Sequence, residues 1–151
     1  MNRRRRKKLS KRLFGAIQAG DAVAVRALLG AGADPGRRDG EGTTPLYAAA
    51  VNGEAVIVGL LLLAGASPDV ESRGVGAEGT ALCAAACWGH AGTVRELLAH
   101  GADPNLREDG GTGWSPFEWA NNGPHPETAA LLVAAGADAG SGSVRECGRA
   151  W

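Results

Sequence analysis

Residues 42–68, GTTPLYAAAVNGEAVIVGLLLLAGASP, decide the fold of this 151-residue chain. Thr44 is placed to cap a helix that opens with Pro45, a favourable first residue because the N–H groups of a first helical turn are unpaired in any case. The small alanine side chains that follow let this helix approach its neighbours closely. Gly53 can then adopt the positive φ at which the chain turns into a second helix.

The second helix is indicated by an apolar stripe. Ile57, Leu60 and Leu61 stand at positions i, i+3 and i+4, so their side chains share one helical face. Gly65 then ends the helix. These residues predict a helix-turn-helix unit that cannot bury its apolar face without a neighbour.

The same unit recurs along the chain. The tripeptide Gly-Ala-Asp, or a near match to it, starts at Gly32, Gly65, Gly101 and Gly136, with spacings of 33, 36 and 35 residues. Twelve residues before these anchors stand Gly20, Gly53, Gly89 and Pro124. A fixed period of this length predicts a solenoid of stacked repeats.

Four stretches resemble the ankyrin repeat, whose usual pattern is T-P-L-H-x-A-A-x-x-G-H-x-E-I-V-x-L-L-L-x-x-G-A-D. Besides residues 42–68, they are GTALCAAACWGHAGTVRELLAHGADPN at 79–105 and WSPFEWANNGPHPETAALLVAAGAD at 114–138. Residues 11–35, KRLFGAIQAGDAVAVRALLGAGADP, have lost Thr-Pro and resemble a terminal cap. The tetratricopeptide repeat has a similar period of about 34 residues but lacks the Thr-Pro-Leu start and the Gly-Ala-Asp end.

The resemblance implies an all-α fold, an ankyrin-repeat solenoid of stacked helix-turn-helix units with projecting hairpin loops. We expect a disordered basic arm at residues 1–12, the repeat domain at 13–139 and a disordered tail at 140–151. The four repeats are expected at about 13–38, 39–74, 75–109 and 110–139.

Two features depart from a regular array of repeats. The second and third loops, DVESRGVGAEGT and NLREDGGTGWS, carry about three and two extra residues, so these hairpins should be longer or less regular. Pro124 replaces the turn glycine of the fourth repeat, although proline does not reach positive φ. We therefore expect Gly123 to make the turn one residue early and to shorten the helix before it.

The net charge of zero conceals a strong asymmetry between the start of the chain and the rest. Eight of the 16 basic residues lie in the first 12 positions and all 16 acidic residues follow position 20, so the arm carries +8 and the remainder −8. Such an arm predicts attraction to nucleic acid or to an anionic membrane surface. The alternatives are a solvated arm without a partner and an arm that folds onto the acidic body. The cations concerned are Arg3, Arg4, Arg5, Arg6, Lys7, Lys8, Lys11 and Arg12.

No motif in the sequence predicts catalysis, so we expect a protein that is not an enzyme. A phosphate-binding loop with its Lys and Ser/Thr, a G-x-S-x-G motif and an H-E-x-x-H motif are all missing. Cys83, Cys87 and His90 offer three possible metal ligands, but zinc sites usually have four, and we interpret the cysteines as packing residues. We expect no metal, no cofactor and no small-molecule substrate.

Two observations concern location. The longest nearly apolar stretch, residues 55–66, is shorter than the roughly 20 residues that a membrane-spanning helix needs. The basic start is not followed by the clean apolar segment of a signal peptide. A cytoplasmic location is therefore expected.

The resemblance also implies where a partner would bind. Ankyrin proteins usually bind protein partners through a concave surface built from hairpin tips and from the ends of the first helices. Trp88 and Trp114 are either anchors of this surface, because aromatic side chains bury large areas with few torsions to freeze, or packing groups for the enlarged loops. Trp119 is expected in the core. The candidate surface, for an unidentified protein partner of an adaptor, scaffold or inhibitor, comprises Arg38, Glu41, Thr43, Val51, Asn52, Glu71, Cys87, Trp88, Arg107, Trp114 and Asn122.

Overall fold

The structure, a computed structural model, describes residues 2–140, so the predicted tail lies outside the described residues except for Gly140. Four helix pairs follow one another along the chain. They are α1 (Arg3–Gln18) and α2 (Ala22–Gly30), α3 (Pro45–Val51) and α4 (Ala55–Leu63), α5 (Ala81–Cys87) and α6 (Ala91–Ala99), and α8 (Pro116–Asn122) and α9 (Pro126–Ala134). Between the second and third pairs lie β1 (Ser72–Gly74) and β2 (Ala77–Gly79), and between the third and fourth lies the single turn α7 (Glu108–Gly111).

The helices form two layers. The first helices of the pairs stack in the order α1, α3, α5, α8, and the second helices stack in the order α2, α4, α6, α9. Ile57, Leu61, Val94, Leu97 and Leu132 are fully buried between the layers. The expected all-α solenoid is confirmed, and among residues 2–140 no helix is long and apolar enough to cross a membrane.

The first helix of each of the last three pairs begins with a side-chain cap, as predicted for Thr44. The Thr44 hydroxyl accepts a hydrogen bond from the Tyr47 N–H at 3.1 Å, and Pro45 follows as the first helical residue. Thr80 caps α5 in the same way. Ser115 caps α8 within a complete capping box, which adds a bond from the Ser115 N–H to the side chain of Glu118.

Neighbouring repeats are joined by what we call the histidine clamp. The Nε2–H of His90 donates to the carbonyl of Val51 at 3.0 Å, at the end of the preceding first helix. Its ring lies against Gly53, where a Cβ atom would come within 2.7 Å of Nδ1. His125 repeats the arrangement with the carbonyl of Cys87 at 3.0 Å. The clamp satisfies a carbonyl near the helix end and fixes how closely the next repeat packs.

The expectation of a disordered arm at residues 1–12 is wrong, because α1 begins at Arg3 and continues without interruption to Gln18. The side chain of Asn2 caps the helix by accepting from the Arg4 N–H at 2.9 Å. Leu9 and Leu13 are buried against the first repeat, and this packing explains why a chain so rich in like charges stays helical here.

The second and third loops, which the sequence predicts to be enlarged, have different structures. The second loop forms the antiparallel hairpin of β1 and β2, in which Ser72 pairs with Gly79. The third loop forms no such strand pair; its turn, α7, contains left-handed backbone at Asp109 and Gly110. The expectation of longer or less regular loops is confirmed.

The expected early turn at Gly123 is wrong. Helix α8 has seven residues, as have α3 and α5, and Gly123 has a φ of −82°. Pro124 itself carries the positive φ, at 25°, where Gly53 and Gly89 have 71°. The proline ring prefers a φ near −65°, so the backbone at Pro124 is strained.

We predict that Pro124→Gly raises the free energy of unfolding by about 1 kcal/mol or more, because the strain exceeds the added flexibility of the unfolded chain. Denaturant unfolding followed by circular dichroism measures the change. Pro126→Gly is the matched control: Pro126 is the first residue of α9, where proline suits the helix, so this variant should lose stability. A Pro124→Gly protein less stable than the unchanged protein would contradict the assignment of strain.

Candidate partner-binding surface

The candidate surface is partly exposed and partly engaged in packing. Six of its residues are exposed to solvent, namely Arg38, Glu41, Asn52, Trp88, Arg107 and Asn122. The other five are half-buried, namely Thr43, Val51, Glu71, Cys87 and Trp114. Of the two tryptophans that the sequence predicts for this surface, Trp88 is therefore exposed and Trp114 is half-buried.

Trp88 lies at the carboxyl end of α5 with 57% of its surface exposed. Its position is held on both sides: the Cys87 carbonyl bonds to His125, and the ring of His125 covers Gly89. Asn52 occupies the equivalent position at the end of α3 and is also exposed. The histidine clamps thus fix the backbone beneath these exposed side chains.

Two arginines of the candidate surface are tied to neighbouring backbone or carboxylate groups. Arg38 Nη2 donates to the carbonyl of Glu71 at 2.8 Å and so links the first loop to the second. Arg107 Nη2 forms an ion pair with Glu118 Oε2 at 2.8 Å. These cations position the loops, and their charge is already partly compensated within the protein.

Trp114 packs inside the third loop. Its ring lies 4.8 Å from that of Trp119, centroid to centroid, at an interplanar angle of 50°. Trp119 is half-buried and packs against the core, as expected, and its Nε1–H donates to Glu108 Oε2 at 2.9 Å. We name Glu108, Trp114 and Trp119 the tryptophan cluster. The packing alternative therefore describes Trp114, whereas Trp88 is exposed, and its role as an anchor stays a prediction.

The carboxylate of Glu108 lies partly buried over Gly79, where a Cβ atom would overlap it. Burial raises the pKa of this carboxyl, against the lowering by hydrogen bonds from Trp119 and from the Cys83 thiol. Burial, followed by the Glu108 charge, also raises the pKa of the Cys83 thiol well above its usual range. At neutral pH this thiol is protonated, which makes it a poor nucleophile and a poor metal ligand.

The hydroxyl of Tyr47 lies near the carboxylates of Glu108 and Glu78. Burial, then the charges of Glu108, Cys87 and Glu78, raise the pKa of its hydroxyl to about 12. The shift identifies carboxylates that lie close to the same half-buried hydroxyl. We call Glu78 and Glu108 the acidic region; Cys87, which also acts on this hydroxyl, is the chain neighbour of Trp88.

Sequence reasoning missed Tyr47, Glu78 and Glu108. Tyr47 and Cys83 each follow a Thr-x-Leu start by one residue, so their equivalent repeat positions could have placed them on one face. The Ser115-x-x-Glu118 spacing is a recognisable capping box. No local pattern marks Glu108, because its burial depends on how the third loop folds over Gly79.

The comparisons with known proteins agree with this geometry. The family model described as ankyrin repeats, three copies, matches residues 13–108 and residues 57–142. Together the two matches cover residues 13–142, from within α1 to beyond the end of α9. No curated protein matches this chain.

We predict stability effects of different size for the two tryptophans. Trp114→Ala removes the ring contact with Trp119 and should lower the free energy of unfolding by about 2 kcal/mol. Trp88→Ala, at an exposed position, should change it by less than about 0.5 kcal/mol. Chemical denaturation of both variants tests the contrast, and equal losses would show that Trp88 also packs.

We further predict that Glu108→Gln is more stable than the unchanged protein at pH 7. The folded pKa of Glu108 lies above its unfolded value, so its contribution to stability is full below the unfolded pKa and is lost as the pH rises through the folded pKa. The Gln side chain can still accept from Trp119, and the gain should disappear below about pH 4. Urea denaturation from pH 4 to 8 measures it, with the exposed Glu41→Gln as control. A gain that grows toward low pH would contradict the sign.

Proposed function

Because this chain belongs to the ankyrin-repeat family, we propose that it is a non-catalytic adaptor, scaffold or inhibitor that binds a protein partner through its concave surface. Ankyrin repeats generally act as protein-interaction modules. The raised pKa of the buried Cys83 thiol supports a role without nucleophilic chemistry.

The observation that carries the proposal is the exposure of Trp88. A tryptophan side chain with 57% of its surface open to solvent leaves a large apolar area unused in the free protein. The backbone on both sides of it is fixed by the second histidine clamp, so little flexibility is lost when a partner covers the ring. Rigid exposed aromatic residues are frequent anchors of protein interfaces.

The charges near Trp88 support a partner of definite character. The carboxylates of Glu78 and Glu108, which form the acidic region, act on the Tyr47 hydroxyl together with Cys87, the neighbour of Trp88. A partner segment with an apolar side chain flanked by Lys or Arg would cover the indole ring and meet these carboxylates. Such a cation can also lie over the face of the indole. The proposed partner is therefore a protein segment with mixed apolar and basic side chains.

The proposal is tested by comparing two exposed apolar side chains. Trp88→Ala should abolish capture of a partner from an extract of the native cell, because truncation of a central anchor costs about 2 kcal/mol or more of binding free energy. Leu63→Ala is the matched control: Leu63 is 77% exposed, but it lies on α4, in the layer of second helices. Quantitative mass spectrometry of material captured by each protein gives the measurement.

The expected pattern is a protein retained by the unchanged chain and by Leu63→Ala but lost by Trp88→Ala. If the Trp88→Ala protein still captures the partner, Trp88 is not part of the interface. Loss by Leu63→Ala alone would assign binding to the layer of second helices and overturn the proposed surface.

A further inference from the structure

The first two turns of α1 form a free-standing group of cations, which we name the basic prong and define as residues 3–8. Every residue from Asn2 to Lys8 is exposed, and burial begins at Leu9. At 1.5 Å per helical residue, the prong extends about 9 Å beyond the packed part of α1. Its six residues are Arg3, Arg4, Arg5, Arg6, Lys7 and Lys8, and Lys11 and Arg12 continue the exposed charge behind it.

The charge of the prong is uncompensated in the free protein. Within residues 2–140, the ion pairs join Arg95 to Glu127, His100 to Glu96 and Arg107 to Glu118, so none involves the prong. The first turn of α1 holds no acidic residue that would balance the positive end of the helix dipole. Like charges four residues apart also repel, as in Arg3 with Lys7 and Arg4 with Lys8. An anionic partner would supply the missing counter-charges, balance the helix dipole and reduce the repulsion between the cations.

The distribution of the cations discriminates between anionic partners. Six consecutive residues at about 100° each surround the helix, so roughly half of the cations would point away from a flat membrane surface. The apolar side of α1, which includes Leu9, Leu13 and Ile17, is buried in the repeat core and cannot insert into lipid. A groove with phosphates on both sides, in contrast, meets cations all around a helix.

We propose that the basic prong binds double-stranded DNA by entering the major groove and contacting the phosphates of both strands. A helix with side chains is about 10 to 12 Å across, and the major groove of B-form DNA is about 12 Å wide. The major groove of A-form RNA is too narrow for side chains to read, so duplex RNA should bind less well. The body, with a charge of −8, is repelled by phosphate, and the contact is confined to the prong. This inference is independent of the surface around Trp88.

The test is fluorescence anisotropy of the full chain with a labelled 20-base-pair DNA of arbitrary sequence, at salt concentrations from 20 to 200 mM. Neutralising six to eight phosphates gives a slope of log K against log salt between about −5 and −7. Arg4→Gln/Lys7→Gln/Lys8→Gln should weaken binding at least tenfold at 100 mM salt and reduce the slope by about 3. Circular dichroism and thermal unfolding of the variant establish that it remains folded.

The matched control removes three charges from the body, in Arg26→Gln/Arg37→Gln/Arg73→Gln, and should weaken DNA binding far less than the prong variant does, because these residues lie outside the proposed contact. Equal weakening by both triple variants would overturn the prong as the site. Binding of duplex RNA as tight as that of DNA would overturn the major-groove fit. Tighter binding to phosphatidylserine vesicles or to poly-glutamate than to DNA would assign the prong to a membrane or to an acidic protein.

Discussion

The stacking of the second, third and fourth repeats depends on a hydrogen bond that forms only where a glycine leaves room for it. His90 and His125 each donate a ring N–H to a carbonyl at the end of the preceding first helix. Carbonyls at a helix end have no partner within the helix, so the bond satisfies a group that water would otherwise have to solvate. The ring reaches that carbonyl because Gly53 and Gly89 have no side chain in its path. Helix end, turn and repeat spacing are therefore set by one contact.

The clamp is not uniform along the array. At the junction of the first and second repeats, Glu54 takes the position of the clamp histidine, with its carboxylate against Gly20. A carboxylate cannot donate to a carbonyl when ionised, so this junction relies on apolar packing of residues such as Leu13 and Ile17. Because the stability of a solenoid is a sum of repeat and interface contributions, the junctions on either side of the third repeat are the best fixed. Trp88 lies in that third repeat, on the part of the backbone that the clamps hold most firmly.

The features that the sequence predicts correctly are those set by local chemistry. The cap at Thr44, the turn at Gly53 and the stripe that includes Ile57 depend on residues a few positions apart, and together with the repeat they indicate the fold class. The errors arise where distant packing overrides a local preference. Pro124 takes the positive φ of a repeat turn although its ring disfavours it, and residues 3–8 are helical because the buried apolar residues that follow them continue the same helix.

The candidate surface shows the same division between local and distant causes. The exposure of Trp88 follows from its position at a helix end, which the repeat register locates. Trp114 stands out equally in the sequence, but it packs against Trp119 within its loop. Burial of Glu108 needs both the fold of the third loop and the missing side chain of Gly79, 29 residues earlier in the chain. Such a contact joins two loops and leaves no periodic trace in either.

The two proposed binding surfaces are well separated along the solenoid. Trp88 ends α5 and the prong begins α1, with α3 stacked between these helices. Packed helices lie about 8 to 10 Å apart, so the two steps from α1 to α3 and from α3 to α5 amount to nearly 20 Å. The Debye length at physiological ionic strength is about 8 Å, which screens most of the effect of a phosphate at the prong on the acidic region near Trp88. A protein partner at the third repeat and DNA at the prong can therefore bind with little mutual interference, and the repeat array then acts as a rigid spacer between them.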